Sequence, residues 1–397
     1  RKIRTPREDF RSCLLNAALQ FYYRPDATHG YLLAGYPWFG VRARDLFIAL
    51  PGCTIYADAP ERFYRIMDTV LPDMRAFMRQ EGISKEIRNI NEGDIGLWAI
   101  WTLQEYARWS SLPDMVSRYG DFLDELIHYY LRNVHPNLRI DDNGLCVMTG
   151  DGRPLSWMDA KVNGQAVVRR EGYLVEVNAL WYNALCFYRE ALPQKWTPEL
   201  EELLGRVQQS FCDTFINQHG YLFDYVHPHS SWRDWSVRPN MVFATSLPYS
   251  PLPKATRRSV LEIITRELRT PKGLRSLSPK SDGYQPQCHG TQWQREQSYY
   301  NGSVWPWLLG PYFEACIKLY GRSAISFIEN TLIGMEEELQ QHGVGTVSEL
   351  FDGNPPFKGR GAISFAMSVG ELLRSLALLE EAKSKYDTQI LPIIRYE

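Results

Sequence analysis

The chain has 397 residues, 44% of them hydrophobic and 23% charged, which excludes a disordered or fibrous protein and allows a large buried core. Lys plus Arg total 44 against 46 Asp plus Glu, so no charge excess favours nucleic acid or an anionic membrane. No apolar run approaches the ~20 residues needed to cross a bilayer.

Aromatic residues make up 13% of the chain and many fall in polar, Gly-rich segments, the setting of rings that face a neutral ligand. The seven Cys are scattered and form no C-x-x-C pair, so neither a disulfide framework nor a zinc site is expected. A reducing, cytoplasmic setting is the default. The opening residues Arg1-Lys2-Ile3-Arg4 carry no initiator Met and no apolar signal core, and suggest a piece of a longer chain.

In chain order, apolar residues recurring at three and four positions predict twelve helices and almost no period-two strand pattern. The first, residues 7 to 22, lines up Phe10, Cys13, Leu14, Ala17, Ala18 and Phe21 on one face. The others fall near 44–50, 59–80, 94–109, 115–133, 176–191, 198–217, 239–247, 254–268, 302–320, 323–340 and 362–380.

Connections alternate in kind. Links after even-numbered helices are mostly short, such as Gly321-Arg322, whereas those entering them are long: 23–43, 81–93, 134–175, 218–238, 269–301 and 341–361. Loops longer than about 12 to 15 residues are usually functional, and six of them entering every second helix would share one rim. A ring of six inner helices wrapped by six outer ones meets this pattern, with the inner N-termini around a single funnel. No linker divides the chain, so residues 1–397 are expected to form one domain.

Three loops carry the chemistry. In Ala34-Gly35-Tyr36-Pro37-Trp38-Phe39-Gly40-Val41-Arg42-Ala43-Arg44-Asp45, rings precede an Arg-Asp pair. Asp45 there either caps a helix or accepts hydrogen bonds from hydroxyls while Arg44 orients it, and Trp38 is either platform or core. In Leu155-Ser156-Trp157-Met158-Asp159-Ala160-Lys161, apolar neighbours would desolvate Asp159 and keep it protonated, as a general acid requires, unless Lys161 neutralises it in a plain salt bridge.

In Gly343-Val344-Gly345-Thr346-Val347-Ser348-Glu349, the Gly-rich approach and the Gly353-Asn354-Pro355 turn beyond it shape the chain to present Glu349. The alternatives are a solvated Glu349, or Asp352, which is better placed for an Asx-turn with Gly353. Two carboxylates across a funnel suit glycoside hydrolysis, one protonating the leaving oxygen and one activating water.

Other motifs are weaker. Cys288-His289 lacks further ligands at metal spacing, and the sequon Asn301-Gly302-Ser303 lacks a secretory signal. Neither a phosphate-cradling loop nor a dinucleotide fingerprint is present, so no metal or organic cofactor is expected.

Several segments together resemble the amylo-alpha-1,6-glucosidase domain of the glycogen debranching enzymes, glycoside hydrolase family 133. They are Ala34 to Gly52, Ser156 to Lys161, Val175 to Leu185, Arg238 to Leu252, Gly273 to Pro279, Ser303 to Tyr312 and Thr346 to Arg374. The resemblance implies an all-α, (α/α)6 barrel of the glucoamylase type, agreeing with the helical pattern. It implies Asp159 as acid and Glu349 as base of an inverting exo-glucosidase acting on α-1,6-linked glucose in an α-glucan. It implies Arg44 and Asp45 on the terminal glucose, and Trp38, Asp94, Trp157, Lys161, Glu176, Asn178, Arg238, Asn240 and Trp305 around the pocket. It also implies a β-rich domain upstream.

The chain departs from the family pattern where Arg42-Ala43 replaces Trp-Gly and where Tyr300-Asn301 replaces His-Gln. The alternatives are a glucoamylase-like or trehalase-like hydrolase, a sugar epimerase using histidines such as His227, His229 or His289, and a non-catalytic carbohydrate-binding module.

Overall fold

The computed structural model describes residues 8–387. Arg1 to Arg4, which prompted the expectation of a longer chain, lie outside the described residues, as does Arg7 of the first predicted helix. The described residues are mostly helical: α1 (Phe10–Phe21), α2 (Ala43–Cys53), α3 (Pro60–Met78), α4 (Ile95–Trp109), α5 (Leu112–Leu131), α6 (Val175–Ala191), α7 (Pro198–Phe215), α8 (Phe243–Ser246), α9 (Lys254–Glu267), α10 (Gln292–Tyr299), α11 (Leu309–Tyr320), α12 (Ile325–Glu336) and α13 (Ala366–Asp387).

Two kinds of helix alternate. Every residue of α2 is buried and α6 is buried along nearly its whole length, whereas α3, α5 and α7 bury one stripe and open with Pro in the first turn, where a missing N–H costs nothing. The more deeply buried helices touch in sequence, α2 to α4, α4 to α6, α6 to α8, α8 to α11, α11 to α13, and α13 returns to α2. That last contact requires glycine: a Cβ on Gly52 would lie 1.8 Å from the Gly370 carbonyl oxygen.

The structure differs from the sequence pattern in several places, and of the helix expected near 239–247 the first part, Pro239–Val242, is a 3-10 turn and only Phe243–Ser246 is α-helical. Residues 302–308 do not begin a helix, because Val304–Trp305 is a strand and Pro306–Leu308 a 3-10 turn before α11. The last helix starts at Ala366, since Ser364–Phe365 pairs with Gly35–Tyr36. The additional helix α10 has no apolar face; a reciprocal cap between Thr291 and Gln294 defines its start.

Short strands run through the long loops. Five of them, 269–270, 273–275, 304–305, 350–351 and 359–360, form an antiparallel sheet that pairs Leu274 with Trp305 and Val304 with Phe351. Among the described residues no helix is long and apolar enough to cross a membrane.

Candidate active site

Five of the long loops and the helix starts they feed line two neighbouring chambers that share part of their walls. The inner one is lined by Arg42, Asp45, Trp157, Asp159, Tyr300, Trp305, Glu349, Phe365 and Met367, and offers about 20 Å³ to water centres. The outer one, about 710 Å³, shares Arg42, Asp159 and Glu349 and is also lined by the exposed Arg88, Arg153 and Lys161. Asp159 and Glu349, 190 residues apart in sequence, therefore border the same space.

Glu349 is held by its own loop and by the end of α10. The Ala362 N–H and the Tyr299 hydroxyl donate to its Oε2 at 2.8 and 2.9 Å. Gly361, at φ 65°, makes this approach possible, for a Cβ there would stand 2.3 Å from the same oxygen. Burial pushes the carboxyl up to about 7, against the two donors, which favour the charged form.

Asp159 has a different setting from the apolar one expected. Arg42 Nη2 donates to its Oδ2 in a close ion pair, and the Tyr300 hydroxyl donates to Oδ1 at 2.8 Å. Lys161 is exposed on the outer chamber and is not its partner. Asp45, foremost, and Asp159 hold Arg42 above the ordinary guanidinium range against burial. Asp45 is itself buried, which raises its carboxyl, and its Oδ2 has no hydrogen-bond donor among the described residues. A buried acceptor left open beside a chamber suits a hydroxyl-bearing ligand.

Trp157 and Trp305 complete the inner wall. Trp305 stacks on Tyr300 with ring centroids 5.0 Å apart, and Trp157 meets both rings edge-on. The Trp157 indole donates to Asn240 Oδ1 at 2.7 Å, and Asn240 donates in turn to Asp224.

The other sequence candidates lie behind the wall or off it. Arg44 is fork-bonded to Asp94 and also pairs with Glu92, which lines the outer chamber. Glu176 accepts both terminal nitrogens of buried Arg170, which also binds Asp224. Asn178 fastens the Cys146 backbone through both its N–H and C=O. Arg238 donates to the Tyr300 and Ser276 carbonyls and so supports the segment bearing Tyr300. Trp38, 59% exposed, stands outside both chambers.

Sequence reasoning missed Tyr299 as a holder of Glu349 and took Arg42 and Tyr300 only as departures from a pattern at the rim. The available signal was that Arg42 brings a hydrogen-bonding side chain to a loop already suspected of chemistry; nothing comparable marked Tyr300. Among the described residues, no group of three His, Cys, Asp or Glu could hold a metal ion.

The family match puts this largely helical chain among the glycoside hydrolases. Residues 16–374 match the family model described as amylo-alpha-1,6-glucosidase, and the chain belongs to that family. No curated protein matches. Among solved structures, a GH63 mannosylglycerate hydrolase from Thermus thermophilus in complex with Tris is similar at TM-score 0.63 and 13% identity, covering 92% of this chain and 99% of that one. The same enzyme with Tris and D-glycerate gives 0.63 and 13%, covering 93% and 100%. A glycosidase variant in complex with glucose gives 0.59 and 13%, covering 94% and 97%.

Proposed function

We propose that this chain is an inverting exo-acting glucosidase that removes a terminal α-1,6-linked glucose from an α-glucan, on an (α/α)6 barrel. The observation that carries the reading is the shared chamber: Asp159 and Glu349 come from loops far apart in the chain and border one space with two indoles and Asp45, whose Oδ2 has no hydrogen-bond donor among the described residues. Apolar ring faces suit the faces of a pyranose, and Asp45 suits its hydroxyls.

In this mechanism Asp159 gives its proton to the glycosidic oxygen as the anomeric C–O bond breaks. Glu349, with both its donors on Oε2, uses Oε1 to take a proton from water attacking the opposite face of the anomeric carbon. The product is β-glucose, with no covalent sugar intermediate. Proton NMR of the sugar first released from isomaltose or a branched dextrin tests this: β-glucose is expected, and initial release of α-glucose overturns it.

A second reading has one observation behind it. Arg88, Arg153 and Lys161 are exposed on the outer chamber and make no salt bridge among the described residues, which suits an acidic leaving group such as the D-glycerate bound in the mannosylglycerate hydrolase. Faster turnover of a glucosylglycerate than of isomaltose would favour it over the glucan.

A further inference from the structure

The outer chamber is bordered by the amides of Asn89, Asn91, Asn137 and Gln292, which suit hydroxyls, and aromatic surface stands just beyond its wall. The three most exposed indoles among the described residues are Trp293, Trp38 and Trp232, at 60%, 59% and 57%. Two of them adjoin residues that line this chamber. Trp38 precedes Phe39 and meets its ring edge-on, with centroids 6.2 Å apart. Trp293 follows Gln292 on α10, where Gln292, Glu296 and Tyr299 form the stripe that borders the chamber. At 3.6 residues per turn, Trp293 lies on the flank of that stripe.

Neither indole is placed as a packing residue would be. Helix α10 has no apolar face for Trp293 to join, and among the described residues the N–H of neither Trp38 nor Trp293 has a protein acceptor. Trp232 differs on both counts. It donates to the Tyr225 hydroxyl at 3.1 Å and adjoins no residue that lines either chamber.

We propose that Trp38 and Trp293 are platforms for the leaving-group side of a long α-glucan, binding glucose units that continue beyond the outer chamber. The proposal rests on the hydrolase reading above and deepens its first form by naming a polysaccharide chain as the substrate class. Isomaltose has one ring beyond the scissile bond, which a chamber of about 710 Å³ can hold, whereas a dextrin extends past the wall to where the two indoles stand. The C–H groups on a pyranose face suit the flat of an indole, and rings with no partner to give up are free to receive it.

The test compares kcat/KM on a branched dextrin with that on isomaltose in the wild type, Trp38→Ala, Trp293→Ala and Trp232→Ala. Each of the first two should lower the dextrin-to-isomaltose ratio about three- to tenfold, chiefly through KM for the dextrin. Trp38→Phe and Trp293→Phe, which keep a flat ring, should recover part of the ratio, and Trp232→Ala should leave it at the wild-type value.

Indole fluorescence of the Glu349→Gln variant reads the same contacts without turnover. The dextrin should shift the emission further to the blue than isomaltose does, and adding Trp38→Ala with Trp293→Ala should remove that difference. A ratio unmoved in both alanine variants, or lowered equally by Trp232→Ala, overturns the platforms and leaves the hydrolase reading intact. Failure of the wild type to release glucose from either substrate overturns the hydrolase reading instead; the fluorescence difference then decides the platforms alone, its presence supporting them and its absence overturning them.

Discussion

Glu349 and Glu371 are both 2% exposed, and burial pushes both up to about 7. Glu371 lies in the interior of α13. Its Oε2 accepts from Arg374 Nε at 2.7 Å, Arg374 binds Glu314 as well, and the backbone of α11 closes over the same oxygen, leaving no room for a Cβ at Gly310. Glu349 has neutral donors on one oxygen and a chamber before it. A raised carboxyl therefore does not identify a catalytic group; what it faces does. Closed by a guanidinium, it is a structural ion pair, and open to a ligand-sized space, it is a candidate base.

The sharpest way to break this comparison is to amidate each acid. Glu349→Gln should cost about 10² to 10⁴ in kcat on isomaltose with the fold intact. Glu371→Gln should leave the folded fraction active, yet lower the denaturant midpoint by the equivalent of up to about 3 to 5 kcal/mol, as removal of one member of a buried ion pair does. Equal losses of turnover in the two variants would erase the distinction.

A second expectation concerns pH. Folding raises the Glu349 carboxyl from 4.5 to about 7, so its proton-linked stability is full below about 4.5 and disappears as the pH rises through 7. Thermal melts of Glu349→Gln should therefore gain on the wild type across that window, by roughly 3 kcal/mol at its upper end. The acid limb of kcat/KM should fall near pH 7, because the base acts only when ionised.

The smallest effect belongs to Tyr299. Its hydroxyl favours the charged form of Glu349, so Tyr299→Phe should move the acid limb upward and lower kcat about tenfold, the equivalent of one hydrogen bond to a charged group. An unmoved limb would leave Ala362 as the controlling donor.

The largely helical character was legible in the spacing of apolar residues at three and four positions, because each helix so marked buries at least one such stripe. Asp159 and Glu349 were legible as acids in shaped loops. The partners were not. Arg44, Asp94, Glu176 and Asn178 carry the same side-chain chemistry whether they touch a ligand or brace one another, and only three dimensions separate the two cases. The role of Arg42 lay out of reach of local pattern, since its partner is 117 residues away. Helix α10 stayed hidden because polar residues fill it, and its one local mark was the Thr291 cap.

That short helix has a consequence for durability. The last residue of α10 and the one that follows it, Tyr299 and Tyr300, grip Glu349 and Asp159 respectively, so one peptide bond joins the supports of both carboxylates. The helix that delivers them has little apolar packing of its own, with Ser298 its one buried residue. Chemistry in this molecule is thus tethered to a short, mostly polar helix, and gentle warming or mild denaturant should silence the enzyme while the longer helices around it still stand.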